Sequence, residues 1–244
     1  GYDGVSIEGY RVPFARQGVA LDVAIPIDVD RAVAAEAAAV SGKTWDVAPF
    51  SGAIAVCLNR SRDGDPVDTD ERPMETDMEK MAKLRPAFKK DGSVTAGNAS
   101  GINDGGAAVL MMSREKADDY GLTPIVSVKA FAAGGLDPAF MGLGPVPAIK
   151  KVLSKTGRSI NDIEMIELTE AFAAQAIGCM RELDIAVEKP NQLGSGISLG
   201  HPIGCTGARQ MVTGMYQMER QHYTSGLISM CIGGGMGMAM LVTR

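Results

Sequence analysis

Apolar and polar positions alternate with a readable period over most of this chain, and the period changes along it. Val5 to Phe14 has strand character, and VALDVAIPIDVD after it is apolar without a clean repeat. Arg31 to Val40 is alanine-rich and predicts a helix, and Trp45 to Leu58 predicts a strand. RSRDGDPVDTDERP, from Arg60 to Pro73, is charged and turn-rich and predicts an exposed connection. From Ala107 the pattern becomes regular. AAVLMMS (107–113) predicts a strand, REKADDYG a polar helix closed by Gly121, and IVSVKAFAAGG (125–135) a strand. PVPAIKKVLSKTG predicts a helix with proline at its start and Gly157 at its end. EMIEL (164–168) is a strand, Glu170 to Leu183 a helix with an apolar stripe, and a glycine-rich loop around His201 leads into a helix reaching about Arg220. GLISMCI and MGMAMLVT close the chain as strands. Strands alternating with helices imply an α/β layered fold with a largely covered sheet.

Composition narrows the function. Hydrophobic residues are 45% and charged residues 22% of 244, ordinary for a globular protein with a real core. The net charge of −5 argues against nucleic acid as a partner. The longest charge-free run, Gly226 to Thr243, is shorter than a membrane span requires, so no membrane span is expected. The four cysteines, at 57, 179, 205 and 231, form no CxxC pair, and neither a metal site nor a disulfide framework is expected. With no N-terminal signal pattern, a reducing, cytoplasmic location is the expectation.

Three stretches carry candidate chemistry. GHPIGCTGAR (200–209) holds one of only two histidines, between glycines that let a ligand approach and ahead of a helix N-terminus. A neutral imidazole there can act as a base or donate to an oxyanion. Cys231 ends a strand just before a run of glycines, where a thiol faces a site; buried packing is the plainer reading. IGGGMG is a poor dinucleotide loop, because a strand and not a helix follows it. TAGNASGINDGGAA (95–108) suits either a loop whose backbone N–H groups meet a polar ligand or a plain turn with a helix cap.

Together KLRPAFKKDGSVTAGNASGINDGGAA (83–108), MGLGPVPA (141–148), IELTEAFAAQ (166–175), GSGISLGHPIGCTGAR (194–209) and CIGGGMG (231–237) resemble the thiolase family, coenzyme A-dependent acyltransferases that make or cleave 3-ketoacyl-CoA. IEGYRVPFARQG (7–18) resembles the start of a thiolase's N-terminal half, and residues 31–66 loosely resemble its loop domain. The resemblance implies an α/β fold, layered α/β/α/β/α, built of two similar halves with five-stranded sheets. On this reading residues 1–27 are a remnant of the N-terminal half, 28–90 a loop-domain segment and 91–244 a complete C-terminal half. It implies acyl-CoA as substrate, acetoacetyl-CoA above all, no permanently bound cofactor, and a homo-oligomer, dimer or tetramer.

The resemblance also implies roles by position. His201 would activate a nucleophilic cysteine and contribute to an oxyanion hole. Cys231 would shuttle a proton to or from the substrate Cα or the leaving thiol, and the Gly233 N–H would serve a second oxyanion hole. Ser100, Ala96 and Phe172 would line the pantetheine channel, and Arg60 or Arg62 would meet the coenzyme's phosphates. Two positions depart from the family. Thr169 stands where the family has the asparagine that positions a water, and a threonine hydroxyl offers one donated hydrogen bond in its place. No Cys-Gly/Ser-Ser-Gly motif for the acyl-accepting cysteine occurs, and Cys57, Cys179 and Cys205 read as structural. Three readings account for the second departure: part of a longer thiolase, a short chain whose partner subunit supplies the nucleophile, or a silent acyl-CoA-binding scaffold. A ketoacyl synthase, which would want a second catalytic histidine, is disfavoured because His222 reads as a surface residue.

Overall fold

The computed structural model describes residues 76–244 in full and, upstream, the backbone of five short strands, 4–7, 10–13, 20–23, 55–60 and 66–67. The chain divides into two compact units, residues 1–73 with 104–108, and residues 74–103 with 109–244. In the first unit β1 (Gly4–Ile7) pairs antiparallel with β2 (Tyr10–Pro13). The single strand expected over Val5–Phe14 is thus two strands, with Gly9, a residue type that interrupts strands, between them in sequence. A second sheet runs β3 (Ala20–Val23), β4 (Ala55–Arg60), β5 (Pro66–Val67), all antiparallel. Cys57 lies mid-strand in β4, opposite Leu21. The expected helix at Arg31–Val40 lies outside the described residues.

The second unit holds α1 (Met78–Ala82), α2 (Arg114–Asp119), β6 (Ser127–Gly135), α3 (Pro145–Thr156), β7 (Met165–Leu168), α4 (Ala173–Leu183), α5 (Thr206–Gln221), β8 (Ser225–Gly233) and β9 (Met236–Thr243). Strand order is β6-β9-β8-β7; β7 and β8 are parallel and the other pairs antiparallel. Alternate residues of each strand face opposite sides, and both sides are covered. Ala132, Ile166, Leu168, Leu227, Ala239 and Leu241 pack on α3 and α4, while Met165, Ile228 and Val242 pack with Met211 and Met218 of α5. Two helices, a sheet and a third helix therefore form an α/β/α sandwich.

Local sequence sets the ends of these elements. α3 begins on Pro145, buries Val146, Ile149 and Val152 along one stripe, and stops at Gly157, whose φ of 63° caps it. At the end of α2 the Lys116 carbonyl receives the Tyr120 N–H and the Asp118 carbonyl receives the N–H of Gly121, whose φ is 64°. β7 is an edge strand, yet all four of its residues are buried. Asn191 covers that edge: its Oδ1 accepts from the Leu168 N–H at 2.8 Å, its Nδ2 donates to the Leu168 carbonyl at 2.8 Å, and its own N–H reaches Ile166 O.

Two expectations are corrected here. AAVLMMS (107–113) is not a strand: it joins no ladder, and Leu110, Met111 and Met112 are exposed. An apolar run becomes a strand only where a partner and a buried face are available, so the described sheet has four strands rather than the five the resemblance implies. The helix expected from Glu170 begins three residues later, at Ala173, because Phe172 is extended (φ −145°) and the Glu170 carboxylate is engaged elsewhere, accepting from Asn191 Nδ2 and the Ile197 N–H.

Candidate functional site

α5 runs antiparallel to the β7/β8 pair, and this places the site. Late in the helix, Gly214 lies against Met165 and Met218 lies against Gly226, at the strand starts. Early in the helix, Gly207 lies against Met230 and Gln210 bonds Thr169, at the strand ends. The α5 N-terminus, with His201 just before it, therefore stands over the C-terminal ends of parallel strands, a position where α/β folds gather ligands.

His201 is held at both its backbone and its ring. Its N–H donates to Gly101 O and to Asn103 Oδ1, each at 3.2 Å. Gly200 before it has φ 103°, and any Cβ there would overlap the Asn103 carboxamide, so glycine is required. The ring Nδ1 lies 2.7 Å from Thr206 Oγ1, whose hydroxyl donates to Pro202 O at 2.9 Å. With that proton committed, Thr206 accepts from Nδ1–H, and the Nε2 lone pair is left for chemistry. Burial, and then the Arg209 charge, hold the His201 proton affinity below the ordinary histidine range. The side chain is a neutral base of fixed tautomer. Thr206→Val keeps the shape and removes the acceptor; the ¹⁵N ring shifts of His201 are then expected to show mixed tautomers in place of one.

Cys231 stands at the same end of the sheet. Ser229 accepts the Thr169 N–H at 2.9 Å, and β8 continues past it to Cys231. The ladder breaks between Cys231, opposite Gly237, and Gly233, opposite Met236, leaving Ile232 as the extra residue of a β-bulge. Such bulges re-aim side chains next to active sites. Burial pushes the Cys231 thiol up, so it is protonated at neutral pH. Gly233 follows at φ 100°, with open space where a Cβ would stand. Cys179 differs: it is fully buried, donates toward Gly142 O at 3.4 Å, and burial raises it to about 11. Cys205 is buried ahead of α5, and His222 is exposed at the helix's left-handed end.

The loop 95–103 joins the rest by backbone hydrogen bonds. Ser100 N–H donates to Ala171 O at 3.0 Å, Ala173 N–H donates to Asn98 O at 2.8 Å, and Ile102 bridges His201. Ser100 and Phe172 thus come to the same rim as His201, while Ala96 is exposed on the loop. Phe88, 75% exposed, meets Phe172 edge-on with ring centres 5.6 Å apart. An open groove of about 610 Å³ runs beside them along Met78, Met81, Leu84, Pro86, Thr95 and Asn98. Thr169 is fully buried and its hydroxyl donates to Gln210 Oε1 at 3.0 Å, so toward a ligand it can only accept. Arg60 ends β4 opposite Pro66, its side chain outside the described residues, as is all of Arg62. Among the described residues no cluster of three His, Cys, Asp or Glu could hold a metal, and no helix is long and apolar enough to cross a membrane.

Behind the site Glu167 is fully buried, and burial raises its pKa to about 7 despite Arg209 at 3.4 Å. Between its unfolded value near 4.5 and about 7 the folded state holds more protons than the unfolded one. Its contribution to stability is therefore complete below about pH 4.5 and falls as pH rises to 7. Urea unfolding across that window should show this loss in the wild type and its absence in Glu167→Gln.

Residues 122–244 match the family described as thiolase, C-terminal domain, and residues 15–115 match thiolase, N-terminal domain. The chain belongs to the thiolase family. An acetyl-CoA acetyltransferase of Syntrophomonas wolfei is 53% identical over 196 residues, 79% of this chain and 50% of the relative. One of Thiocystis violacea is 46% identical over 213 residues, 86% and 52%. The chain spans about half the length of the curated relatives it matches. Among solved structures, the Bacillus anthracis acetyl-CoA acetyltransferase aligns at a TM-score of 0.71 with 41% identity, covering 87% of this chain and 52% of that one. Human mitochondrial 3-ketoacyl-CoA thiolase in complex with CoA aligns at 0.66 with 36% identity, covering 73% and 46%. The thiolase fold is thus established for this chain. Reading the thiolase motifs as sequence singles out His201 and Cys231 but passes over Thr206, Gln210 and Phe88. Phe88 had a visible signal, an aromatic among charged residues in KLRPAFKK.

Proposed function

We propose that this chain carries thiolase chemistry: reversible Claisen condensation and thiolysis of 3-ketoacyl-CoA, with acetoacetyl-CoA as substrate and His201 and Cys231 as the acid/base residues. The observation that carries the proposal is the pairing of protonation states at one sheet end, a neutral imidazole with a free Nε2 lone pair and a buried, protonated thiol. In thiolysis His201 Nε2 takes the proton of the attacking thiol and, once protonated, donates toward the thioester oxygen. As the Cα–Cβ bond of the substrate breaks, Cys231 gives its proton to the departing Cα. In condensation the same proton returns to the thiolate and the enolate oxygen is held by donors, a Gly233 N–H among them. Thr169 accepts a hydrogen bond from a water at the site rather than donating one. Ser100, Ala96, Phe172 and Phe88 line the pantetheine path.

The acyl-accepting cysteine motif does not occur in the 244 residues, so the nucleophile belongs to another part of the working assembly. A dimer or tetramer in the cytoplasm fits this reading, either a homo-oligomer of a longer thiolase that includes these residues or an assembly with a partner subunit that supplies the nucleophile. The missing motif also favours a second reading, a silent acyl-CoA-binding protein. Thiolysis of acetoacetyl-CoA, measured alongside calorimetric binding of coenzyme A, separates the two: turnover supports the first, and binding without turnover selects the second.

A further inference from the structure

β7 and α5 meet over a buried polar layer that the acid/base chemistry does not use. Met165, Glu167 and Thr169 alternate onto one face of β7, and each meets α5: Met165 at Gly214, Glu167 at Arg209, Thr169 at Gln210. Glu167, Thr169 and Gln210 are fully buried. Among the described residues, Glu167 Oε1, Arg209 Nε, Gln210 Nε2 and Gln217 Oε1 are buried side-chain atoms with no hydrogen-bond partner in the protein. The first three converge. Arg209 Nη1 lies 3.4 Å from Glu167 Oε2, and its Nη2 lies 3.5 Å from Ser195 Oγ. A guanidinium and a carboxylate in direct two-bond contact approach to about 2.8 Å. Here one leg of the pair is long and the atoms that would form the other, Nε and Oε1, are unpaired. Gln210 Oε1 is taken by the Thr169 hydroxyl at 3.0 Å, which leaves the Nε2 end of that carboxamide unpaired. Gly214 is one helical turn after Gln210, and a Cβ on it would lie 3.8 Å from Glu167 Cγ, so the Glu167 side chain runs along the helix face that carries Gln210. Gln217 Oε1 stands two turns beyond Gln210, about 10 Å along the helix and out of reach of the other three.

We propose that a water molecule is bound between β7 and α5, donating to Glu167 Oε1 and accepting from the Arg209 Nε–H and the Gln210 Nε2–H. The three atoms match what water offers, one acceptor for its hydrogen and two donors for its lone pairs, and about three such bonds are what buried waters make. Left dry, each atom would carry the desolvation penalty of a bond not made, and Glu167 and Arg209 would carry it as charged groups. Two N–H donors exclude a metal ion from this place, and the carboxylate oxygen excludes an anion, so the occupant is neutral. The water completes an unbroken line of hydrogen bonds from Ser195 through Arg209, Glu167 and Gln210 to Thr169. It also fixes the Gln210 carboxamide, because Nε2 must face the water for Oε1 to receive the Thr169 hydroxyl. The site stands whether or not the chain turns over thioesters.

A high-resolution crystal structure of the whole chain tests this, with crystals grown above the Glu167 pKa of about 7 so that the carboxylate is ionised. One ordered water within about 3.2 Å of Glu167 Oε1, Arg209 Nε and Gln210 Nε2 is expected. A direct bond from Arg209 Nε to Glu167 Oε1 in its place, or density for neither, overturns the proposal. A solution measurement complements it: ¹⁷O relaxation dispersion counts the long-lived buried waters. The double variant Glu167→Met with Arg209→Met removes both members of the pair and strands neither charge. Its count should fall by one relative to the wild type, and an unchanged count overturns the proposal. If the double variant does not fold, the wild-type crystal structure decides alone. Failure of the thiolase reading registers separately, in turnover and not in either of these measurements.

Discussion

His201→Ala and Cys231→Ala should each lower thiolysis of acetoacetyl-CoA by at least about 100-fold in the catalytically competent assembly, the scale of a lost general acid or base. The two losses have different chemistry. Alanine at 201 removes the Nε2 lone pair that Thr206 and the burial of the ring prepare, so attack by the thiol slows. Alanine at 231 removes the proton that the departing carbon must receive, while the β8–β9 turn that positions Gly233 remains. Coenzyme A should still bind both variants, because the rim of Ser100, Phe172 and Phe88 is untouched. Steady-state kinetics check this: kcat falls in both and KM for the coenzyme changes little. Retained turnover in both variants overturns the assignment.

Gly237→Ala should be the most damaging single methyl in the fold. Gly237 of β9 lies flush against the backbone at the start of α3, where an added Cβ would fall on Gly144 and 2.6 Å from the Pro145 nitrogen. Neither backbone segment can turn aside as a side chain could, and overpacking of this kind costs about 3 kcal/mol or more. Gly204→Ala is the control, since nothing lies within 4 Å of its Cβ and it should be close to neutral. Urea unfolding measures both; the expected signature for Gly237→Ala is a lower midpoint at an unchanged slope. A loss below about 1 kcal/mol would mean that β9 and α3 separate more easily than their backbone contact indicates.

Most of the second unit was legible because its signals are local. Pro145 and Gly157 bracket α3, Gly121 ends α2, and the alternation of MGMAMLVT makes β9. AAVLMMS misled because strand formation depends on a distant partner that an apolar run cannot announce. The start of α4 moved for a tertiary reason: Glu170 looks helix-competent until its carboxylate is given to Asn191 and Ile197. At the site, His201 and Cys231 stand out by their glycine-rich settings, whereas Thr206 and Gln210 look like ordinary helix residues. Only the antiparallel course of α5 over β7 shows that one fixes the histidine's tautomer and the other takes the Thr169 proton. The Thr169 hydroxyl is thus engaged inside the fold, which its sequence position alone does not reveal.

The most direct test of the central claim is proton exchange at the Cα of acetyl-CoA in deuterated water, read by mass spectrometry. It isolates the step assigned to Cys231 and the donors around it, and it needs no acyl-accepting cysteine. Deuterium should enter the acetyl group with the wild-type chain, faster as pH rises and the Cys231 thiolate that takes the Cα proton is populated, and fall to the uncatalysed rate in Cys231→Ala. Binding of acetyl-CoA with no exchange above that rate in the wild type would contradict the account and leave a protein that holds the thioester without acting on it.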